Sequence, residues 1–308
     1  MKIARREFTK KLGGAGIGAV LAAAGCRPSE EEKARSQKPS GERGTGERTI
    51  RRRLGKTDLV LSPVGFGAQR TRDPDLIRYA LDQGMNHIET AWGYGWGLPG
   101  NSCECIGKAI AGKRDSVCLA VAYEAGMPPG SKAWLPNQFE QTLRDLGTDH
   151  IDLFLWHHPQ VAANNREWTL QENQSLVASG ERVDLMLKWK AEGKLRWCGL
   201  TTHSEQEAWL KFVAESDLYD AAVVAFNYQS PKPVAAAMQE AAQKGVGLIA
   251  MKTQSPNYLD AQKTIGNAAD HREALGWVLA RDYIVAAIPG MTTRDQVHLN
   301  VGVMNATT

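Results

Sequence analysis

The chain has 308 residues, of which 43% are hydrophobic and 23% are charged, and its formal net charge is +3. This length suits one large hydrophobic core or two smaller ones, because barrels of alternating strands and helices reach roughly 250 residues as a single domain. Many of the basic residues lie before position 58, so the remainder is close to neutral or slightly acidic. That distribution argues against a nucleic-acid-binding surface.

The five cysteines do not form a metal-binding pattern. They lie at positions 26, 103, 105, 118 and 198, without a C-x2-C pair or a Cys/His cluster of zinc spacing. Cys103 and Cys105 are too close in sequence for an easy disulfide, and we expect both in a helix. We expect Cys118 and Cys198 to be small buried residues in strands.

Residues 1–26 have the pattern of a targeting segment. Arg5 and Arg6 lie in a basic flank, and the apolar run that follows is too short and too weakly apolar to span a membrane as a stable helix. The segment resembles a twin-arginine export signal, and Ala23-Ala24-Gly25 before Cys26 resembles a bacterial lipoprotein cleavage site. The resemblance implies an exported protein that uses the twin-arginine machinery and is periplasmic, or anchored to a membrane by a lipid on Cys26.

Residues 27–49 contain almost no apolar side chains. Such a segment cannot offset the entropy cost of folding, so we expect a disordered linker. The folded part is therefore predicted to span residues 50–308 as a single domain.

Short apolar runs alternate with helical patterns from residue 50 onward. The predicted strands are 61–68, 87–91, 117–122, 151–157, 195–201, 222–228, 246–251 and 285–289. The predicted helices are 75–83, 103–111, 138–146, 183–190, 205–214, 234–244, 272–280 and 295–304. Eight strand–helix units predict a parallel sheet closed into an α/β (β/α)8 TIM barrel. An open doubly wound sheet is the alternative, but no G-x-G-x-x-G motif follows the first strand.

One stretch carries the clearest chemical signal. The sequence HIETAWGYG at 87–95 predicts a strand that ends beside Glu89, followed by a turn with Tyr94. In a barrel of this type, chemistry lies at the carboxyl ends of the strands. A tyrosine there can act as a general acid when a neighbour lowers its pKa from the ordinary value of roughly 10.

Several ordered segments resemble the aldo/keto reductases, including an exported bacterial branch of that family. The segments are RLGKT at 53–57 with GFG at 65–67, NHIETAWGYG at 86–95, SCECIGKAI at 102–110, and the stretches 193–199, 249–252 and 288–300. The resemblance implies NAD(P)-dependent reduction of a small carbonyl or sugar-like substrate, without a metal. It also implies that Tyr94 donates the proton and that His157 orients the substrate oxygen.

Two positions depart from the pattern of that family. Glu89 stands where the resemblance implies an aspartate, and Ala122 stands where it implies the lysine that lowers the pKa of the tyrosine. Without that ammonium group the pKa of Tyr94 should return towards its free value, which puts activity in doubt. Lys252 could supply a charge, but related sequences carry a lysine there in any case, so the sequence alone does not favour this substitution.

The closing segment better preserves the pattern for a nicotinamide cofactor. The resemblance implies NADP(H) rather than NAD(H), although Thr293 aligns with the arginine usual for the 2′-phosphate and Arg294 is one residue along. A helix N-terminus in this segment suits an anion. The predicted cofactor-binding residues are Thr201, Thr202, Asn227, Met251, Lys252, Pro289, Gly290, Thr292, Arg294, Gln296 and Asn300.

Three functions remain open from the sequence. The first is an oxidoreductase that uses Tyr94, His157 and Glu89. The second is a barrel that binds a ligand without catalysis. The third is a lyase or isomerase acting on a sugar-like ligand, for which tryptophans at 92, 96 and 156 near the pocket mouth would offer stacking surfaces.

Overall fold

The computed structural model describes residues 50–92, 94, 101–124, 134–157, 169–254 and 268–306. The predicted signal segment 1–26, the predicted linker 27–49 and the predicted lipidation at Cys26 lie outside the described residues.

The described chain alternates strands and helices from end to end. The strands are β1 Arg52–Arg53, β2 Val60–Leu61, β3 Phe66–Gly67, β4 His87–Ala91, β5 Cys118–Glu124, β6 Ile151–His157, β7 Leu195–Thr202, β8 Ala221–Ala225, β9 Gly247–Met251 and β10 Ala286–Ala287. The helices are α1 Pro74–Asp82, α2 Ser102–Ile110, α3 Trp134–Leu146, α4 Leu170–Ala178, α5 Glu181–Ala191, α6 Gln206–Glu215, α7 Lys232–Gln243, α8 Ala268–Leu279 and α9 Arg294–Ala306.

Strands β3 to β10 form one parallel sheet in chain order. Parallel bridges between Val64 and Ala287 and between Gly67 and Gly290 join its first strand to its last. The sheet is therefore a closed (β/α)8 barrel, which confirms the predicted fold. We call the join between β3 and β10 the seam.

The core has two layers that follow the alternation of side chains along each strand. Inside the barrel lie small and aliphatic side chains such as Ala120, Ala122, Leu153 and Leu155. Between the strands and the helices lies a larger aromatic and aliphatic layer that contains Phe154. The inward positions near the carboxyl ends of the strands are therefore the ones that can take part in chemistry.

The first two strands form an antiparallel hairpin that precedes the barrel. Its apolar residues Leu54, Leu59 and Leu61 belong to the interior layer, so the hairpin covers the amino-terminal end of the barrel. Gly55 has a φ of +53°, and an added Cβ there would lie 2.4 Å from the carbonyl oxygen of Gly245. A glycine is needed for this close approach because a side chain would clash with the backbone.

The predicted first strand and the predicted helix set need correction. Residues 61–68 contain the hairpin strand β2 and the separate barrel strand β3 rather than one continuous strand. Helix α4 was not predicted, because it buries only Asn173 and Val177 and lacks a strong apolar stripe. A capping box between Thr169 and Glu172 starts this helix instead.

The cysteines have the predicted placement. Cys103 and Cys105 lie in α2, Cys118 lies in β5 and Cys198 lies in β7. All four are buried and free. Within the described residues, no group of three or more His, Cys, Asp or Glu side chains is arranged to hold a metal ion. None of the helices in this part of the chain is long and apolar enough to cross a membrane.

Candidate active site

Glu89 lies inside the barrel near the carboxyl end of β4. Glu89 is in register with Gly67 of β3 and Ala120 of β5, and it is 8% exposed to solvent. Burial raises the pKa of its carboxyl from 4.5 to about 7, against opposing effects from the Lys252 charge and a hydrogen bond from Tyr94. Glu89 is therefore a carboxyl that changes protonation near neutral pH.

Tyr94 is held above Glu89 by the turn that follows β4. Its backbone N–H donates to the carbonyl of Ala91 at 3.1 Å, and the N–H of Trp92 donates to the carbonyl of Ala122 at 3.1 Å. The Tyr94 hydroxyl forms a side-chain hydrogen bond with Glu89. The structure thus brings together the predicted acid and the predicted proton donor, as the sequence pattern at 87–95 indicated.

Ala122 lies on the next strand at the level where the turn begins. It is in register with Ala91 of β4 and Leu155 of β6, and it belongs to the interior layer. A side chain at this position therefore points into the barrel just beyond the level of Glu89. The alanine contributes a methyl group there and no charge.

His157 ends β6 and forms a polar chain with residues of two other strands. Its Nδ1 shares a hydrogen bond with the hydroxyl of Thr201 on β7. The rings of His157 and His203 meet edge to face with centroids 5.3 Å apart, and His203 Nε2 lies 3.2 Å from the sulfur of Met251. These contacts fix the imidazole of His157 at the rim of the barrel.

Lys252 follows β9 in an uncommon backbone conformation. Its φ is +57°, in the left-handed region that disfavours residues with a Cβ. The side-chain amide of Asn227 donates to the carbonyl of Lys252 at 3.1 Å and helps to hold this geometry. The side chain is partly buried, and this burial lowers the pKa of Lys252. The Glu89 carboxylate opposes that effect, and the charge of Arg70 adds to it.

The N-terminus of α9 faces solvent beside the seam. Residues 292–296 are exposed, and the backbone N–H of Thr292 donates to Gln296 Oε1 at 2.7 Å. The guanidinium of Arg294 lies 4.8 Å from the centroid of the Tyr79 ring. Gly290 lies beside Arg70, and a Cβ added to this glycine would lie 3.7 Å from the Cδ atom of Arg70. An exposed helix N-terminus with nearby cations suits a phosphate group, so these residues fit a nucleotide.

Other predicted cofactor residues have partners within the protein. The hydroxyl of Thr202 bonds the carbonyl of Ser204 at 2.5 Å, and the side chain of Asn300 accepts from Gln254 at 2.9 Å. Thr202, Asn227 and Asn300 are all at most 2% exposed. Pro289 lies at the seam, where its carbonyl accepts from the N–H of Gly67 at 3.1 Å.

The suggested tryptophan cluster is partly wrong. Trp92 is 39% exposed at the mouth of the barrel, whereas Trp156 is fully buried and packs edge to face against Phe154. Side chains alternate along β6, so Trp156 points towards the helices while Leu155 points inward. Trp96 lies outside the described residues.

Two residues of this region were not selected from the sequence. His203 contacts His157, and Arg70 acts on Lys252 through its charge. The sequence signal for His203 was its place just after β7, among the residues at a strand end. Arg70 lies in a short 3-10 helix after β3, and no sequence pattern connected it with the distant segment after β9.

The model of the aldo/keto reductase family matches residues 67–274 of this chain. The chain belongs to the aldo/keto reductase family. It is 22% identical over 300 residues to the uncharacterized oxidoreductase YqkF of Bacillus subtilis, which covers 83% of this chain and 91% of that protein. It is 29% identical over 294 residues to the uncharacterized oxidoreductase YrpG of the same organism, with coverage of 79% and 87%.

A solved aldo-keto reductase from Klebsiella pneumoniae in complex with NADPH has the same fold. Its TM-score is 0.62 with 23% sequence identity, and the match covers 83% of this chain and 90% of that one. The shared barrel agrees with the strand order and closure described above.

Proposed function

We propose that this aldo/keto reductase family member is an NAD(P)-dependent oxidoreductase that reduces a small carbonyl or sugar-like substrate. The observation that carries the proposal is the hydrogen bond between Tyr94 and the buried carboxyl of Glu89 at the mouth of the barrel. A phenol paired with a carboxyl that titrates near pH 7 is a proton donor suited to neutral conditions.

In this proposal the protein residues control the proton and the substrate oxygen. Tyr94 donates its proton to the carbonyl oxygen, and a protonated Glu89 favours that transfer by donating a hydrogen bond to the phenol oxygen. His157, held by Thr201, orients the carbonyl oxygen from the opposite rim. A nicotinamide cofactor, when bound, would supply the hydride for the carbonyl carbon, and Tyr94 would supply the proton for its oxygen.

NADP(H) is the proposed cofactor. Arg294 and the exposed N-terminus of α9 provide positive charge for a phosphate, and the nearby Gly290 leaves room for close approach. The Klebsiella pneumoniae relative in complex with NADPH supports the same choice. Thr201, Met251, Lys252 and Gln296 remain proposed contacts with the cofactor or with the residues that position it.

The location of the protein is a separate proposal. Arg5, Arg6 and Cys26 suggest export by the twin-arginine route and attachment through a lipid. Replacement of both arginines by lysine should leave the protein in the cytoplasm, and Cys26→Ser should release it from the membrane fraction. Export that is unchanged by the first variant would contradict this proposal.

Nucleotide binding and turnover together test the proposed activity. The full chain should quench its tryptophan fluorescence when titrated with NADPH, and it should consume NADPH with a panel of aldehydes and ketoses. Tyr94→Phe should retain nucleotide affinity but lose at least about 100-fold in kcat, because the proton donor is gone. Tyr283→Phe, whose ring lies 6.5 Å from that of Phe226 in the layer between the strands and the helices, is the matched control and should behave as the unaltered protein.

Each outcome has a clear meaning. No binding of NADPH or NADH at high micromolar concentration would rule out the oxidoreductase and favour a barrel that only binds another ligand. Binding with equal turnover in Tyr94→Phe would exclude Tyr94 as the proton donor.

A further inference from the structure

Closure of the barrel brings helices α1 and α9 side by side. Helix α1 follows β3 and helix α9 follows β10, and these two strands meet at the seam. The two helices therefore pack against each other although they are far apart in the sequence. Their contact includes the exposed N-terminus of α9, where a phosphate of the cofactor is proposed to bind.

Tyr79 of α1 contacts two side chains of α9. Its hydroxyl shares a hydrogen bond of 2.6 Å with Nε2 of His298, and the two rings meet edge to face with centroids 5.5 Å apart. The guanidinium carbon of Arg294 lies 4.8 Å from the centroid of the Tyr79 ring. Arg294 and His298 are four residues apart, so they lie on the same face of α9. One tyrosine therefore connects α1 with both side chains.

The Tyr79 ring is fixed more firmly than the arginine that it contacts. The ring is partly buried and packs against the layer between the strands and the helices, whereas Arg294 is exposed. A guanidinium within about 6 Å of an aromatic ring is attracted to the face of that ring. The exposed side chain of Arg294 is thus restrained by a neighbour that belongs to the core.

Restraint of this arginine changes how well it can bind an anion. A long side chain at the surface loses rotamer freedom when it binds a ligand, and that loss weakens the affinity. The first turn of α9 also carries Asp295, whose carboxylate repels a phosphate. The direction of the Arg294 guanidinium therefore decides how strongly this end of the helix attracts a phosphate.

We propose that Tyr79 is a positioning residue that holds the Arg294 guanidinium ready for the 2′-phosphate of NADP(H) and thereby sets a preference for NADP(H) over NAD(H). His298 anchors the hydroxyl end of the tyrosine from the next turn of α9. The proposal rests on the proposed NADP(H) cofactor, and it adds a residue of α1 to the phosphate site.

Nucleotide affinities of the full chain, measured by the quenching of tryptophan fluorescence, provide the test. Tyr79→Leu removes the ring and should weaken NADPH binding about 3- to 5-fold. NADH binding should stay unchanged, because NADH lacks the 2′-phosphate. Tyr79→Phe keeps the ring and should keep NADPH affinity within about 2-fold of the unaltered protein. An equal loss in Tyr79→Phe and Tyr79→Leu would overturn the role of the ring.

A double-mutant cycle shows whether Tyr79 acts through Arg294. Arg294→Leu alone should weaken NADPH binding about 10-fold, and the addition of Tyr79→Leu should cause no further loss. Additive losses would contradict the proposal.

Arg281→Leu is the matched control for the arginine. The guanidinium carbon of Arg281 lies 3.4 Å from the centroid of the Trp277 ring, so this arginine also contacts an aromatic face. Arg281 precedes β10, whereas Arg294 follows it, so the two arginines lie at opposite ends of that strand. Arg281→Leu should leave both nucleotide affinities unchanged.

A second readout needs no nucleotide. In NMR spectra of the full chain, the δ-methylene protons of Arg294 should show the upfield shift that an aromatic ring current causes, and Arg294→Leu identifies their signal. The shift should persist in Tyr79→Phe and disappear in Tyr79→Leu. If Tyr79→Leu does not fold, Tyr79→Met removes the ring with a flexible side chain that fills more of its space.

The possible failures are distinguishable. An Arg294 signal without a ring-current shift would overturn the positioning role, whatever the nucleotide affinities. NADPH binding with the same preference over NADH in Tyr79→Leu would also overturn it, and would leave the proposed function intact. If the unaltered protein binds neither nucleotide, the proposed function is rejected and the positioning role is rejected with it.

Discussion

Arg196 Nη1 lies 2.6 Å from Asp152 Oδ1 and joins two strands at the amino-terminal end of the barrel. Asp152 also pairs with Arg114 at 2.9 Å and accepts from the backbone of Leu119 at 2.9 Å. The Arg196 guanidinium also forms a salt bridge with Asp58 at 3.0 Å, so the network reaches the loop of the N-terminal hairpin. One buried carboxylate thus connects strands β5, β6 and β7 with the hairpin.

Asp152→Ala should destabilise the fold strongly. The side chain is 3% exposed, and its removal leaves Arg114 without its charged partner in a mostly buried position. We expect a loss of about 3 kcal/mol in the free energy of unfolding, measured by urea denaturation. Glu240→Gln, which removes an exposed pair with Lys244, should leave the midpoint unchanged. Equal midpoints for the two variants would contradict the structural importance of Asp152.

Glu89 should make the protein less stable as the pH rises towards neutrality. Its folded pKa of about 7 exceeds its ordinary value of 4.5, so the folded state binds a proton that the unfolded chain releases between these values. The stabilisation is complete below about pH 4.5 and is lost as the pH rises through about 7. Glu89→Gln lacks this dependence and should gain about 3 kcal/mol relative to the unaltered protein from about pH 4 to about pH 8.

Unfolding curves of both proteins at several pH values measure that difference. His87, whose pKa is lowered by burial to about 3, has the opposite pH dependence but is present in both proteins, so its effect cancels in the comparison. A constant difference across the pH range would mean that folding does not change the pKa of Glu89.

Thr201→Val should impair catalysis through His157. Valine keeps the shape of threonine but cannot bond to Nδ1 of the imidazole. We expect kcat/KM for carbonyl reduction to fall about 10-fold, because a poorly oriented histidine weakens the alignment of the substrate oxygen. Thr202→Val is the control, since Thr202 bonds the carbonyl of Ser204 instead. A rise in the NADPH dissociation constant in step with the loss of kcat/KM would place Thr201 at the cofactor.

Arg294→Glu should discriminate the two nicotinamide nucleotides. Arg294 is exposed at the N-terminus of α9 and lies over the ring of Tyr79. Reversal of its charge should weaken NADPH binding about 10-fold or more and leave NADH binding nearly unchanged, since NADH lacks the 2′-phosphate. Lys188→Gln on α5 is the control, and fluorescence titration measures both affinities. Equal losses for both nucleotides would assign Arg294 to a phosphate that they share.

The barrel could be predicted from the sequence because its signals are local. Each strand is a short apolar run and each helix has apolar spacing of three and four residues, so the order of units follows directly. Tyr94 and Glu89 were predicted together for the same reason, since one turn connects them. Trp156 was placed wrongly because a shift of one residue changes the face of a strand.

The cation whose charge acts on the pKa of Glu89 could not be predicted in the same way. Lys252 is far away in sequence, and its approach depends on closure of the barrel and on a left-handed backbone held by Asn227. The sequence contains no local pattern for such a conformation at a lysine. Contacts across the seam exist only once all eight strands are in place.

The seam makes the charge balance of the mouth depend on the integrity of the barrel. Strands β3 and β10 are short, and Gly65 and Gly67 donate to the carbonyls of Ala287 and Pro289 across it. Opening of this join would separate Glu89 on one side from Lys252 on the other. Because burial raises the pKa of Glu89 to about 7, the closed barrel holds this proton more tightly than an opened one. Amide hydrogens at the seam should therefore exchange faster as the pH rises through about 7, once intrinsic exchange rates are corrected. Proton binding to Glu89 and opening of the seam are thereby thermodynamically linked.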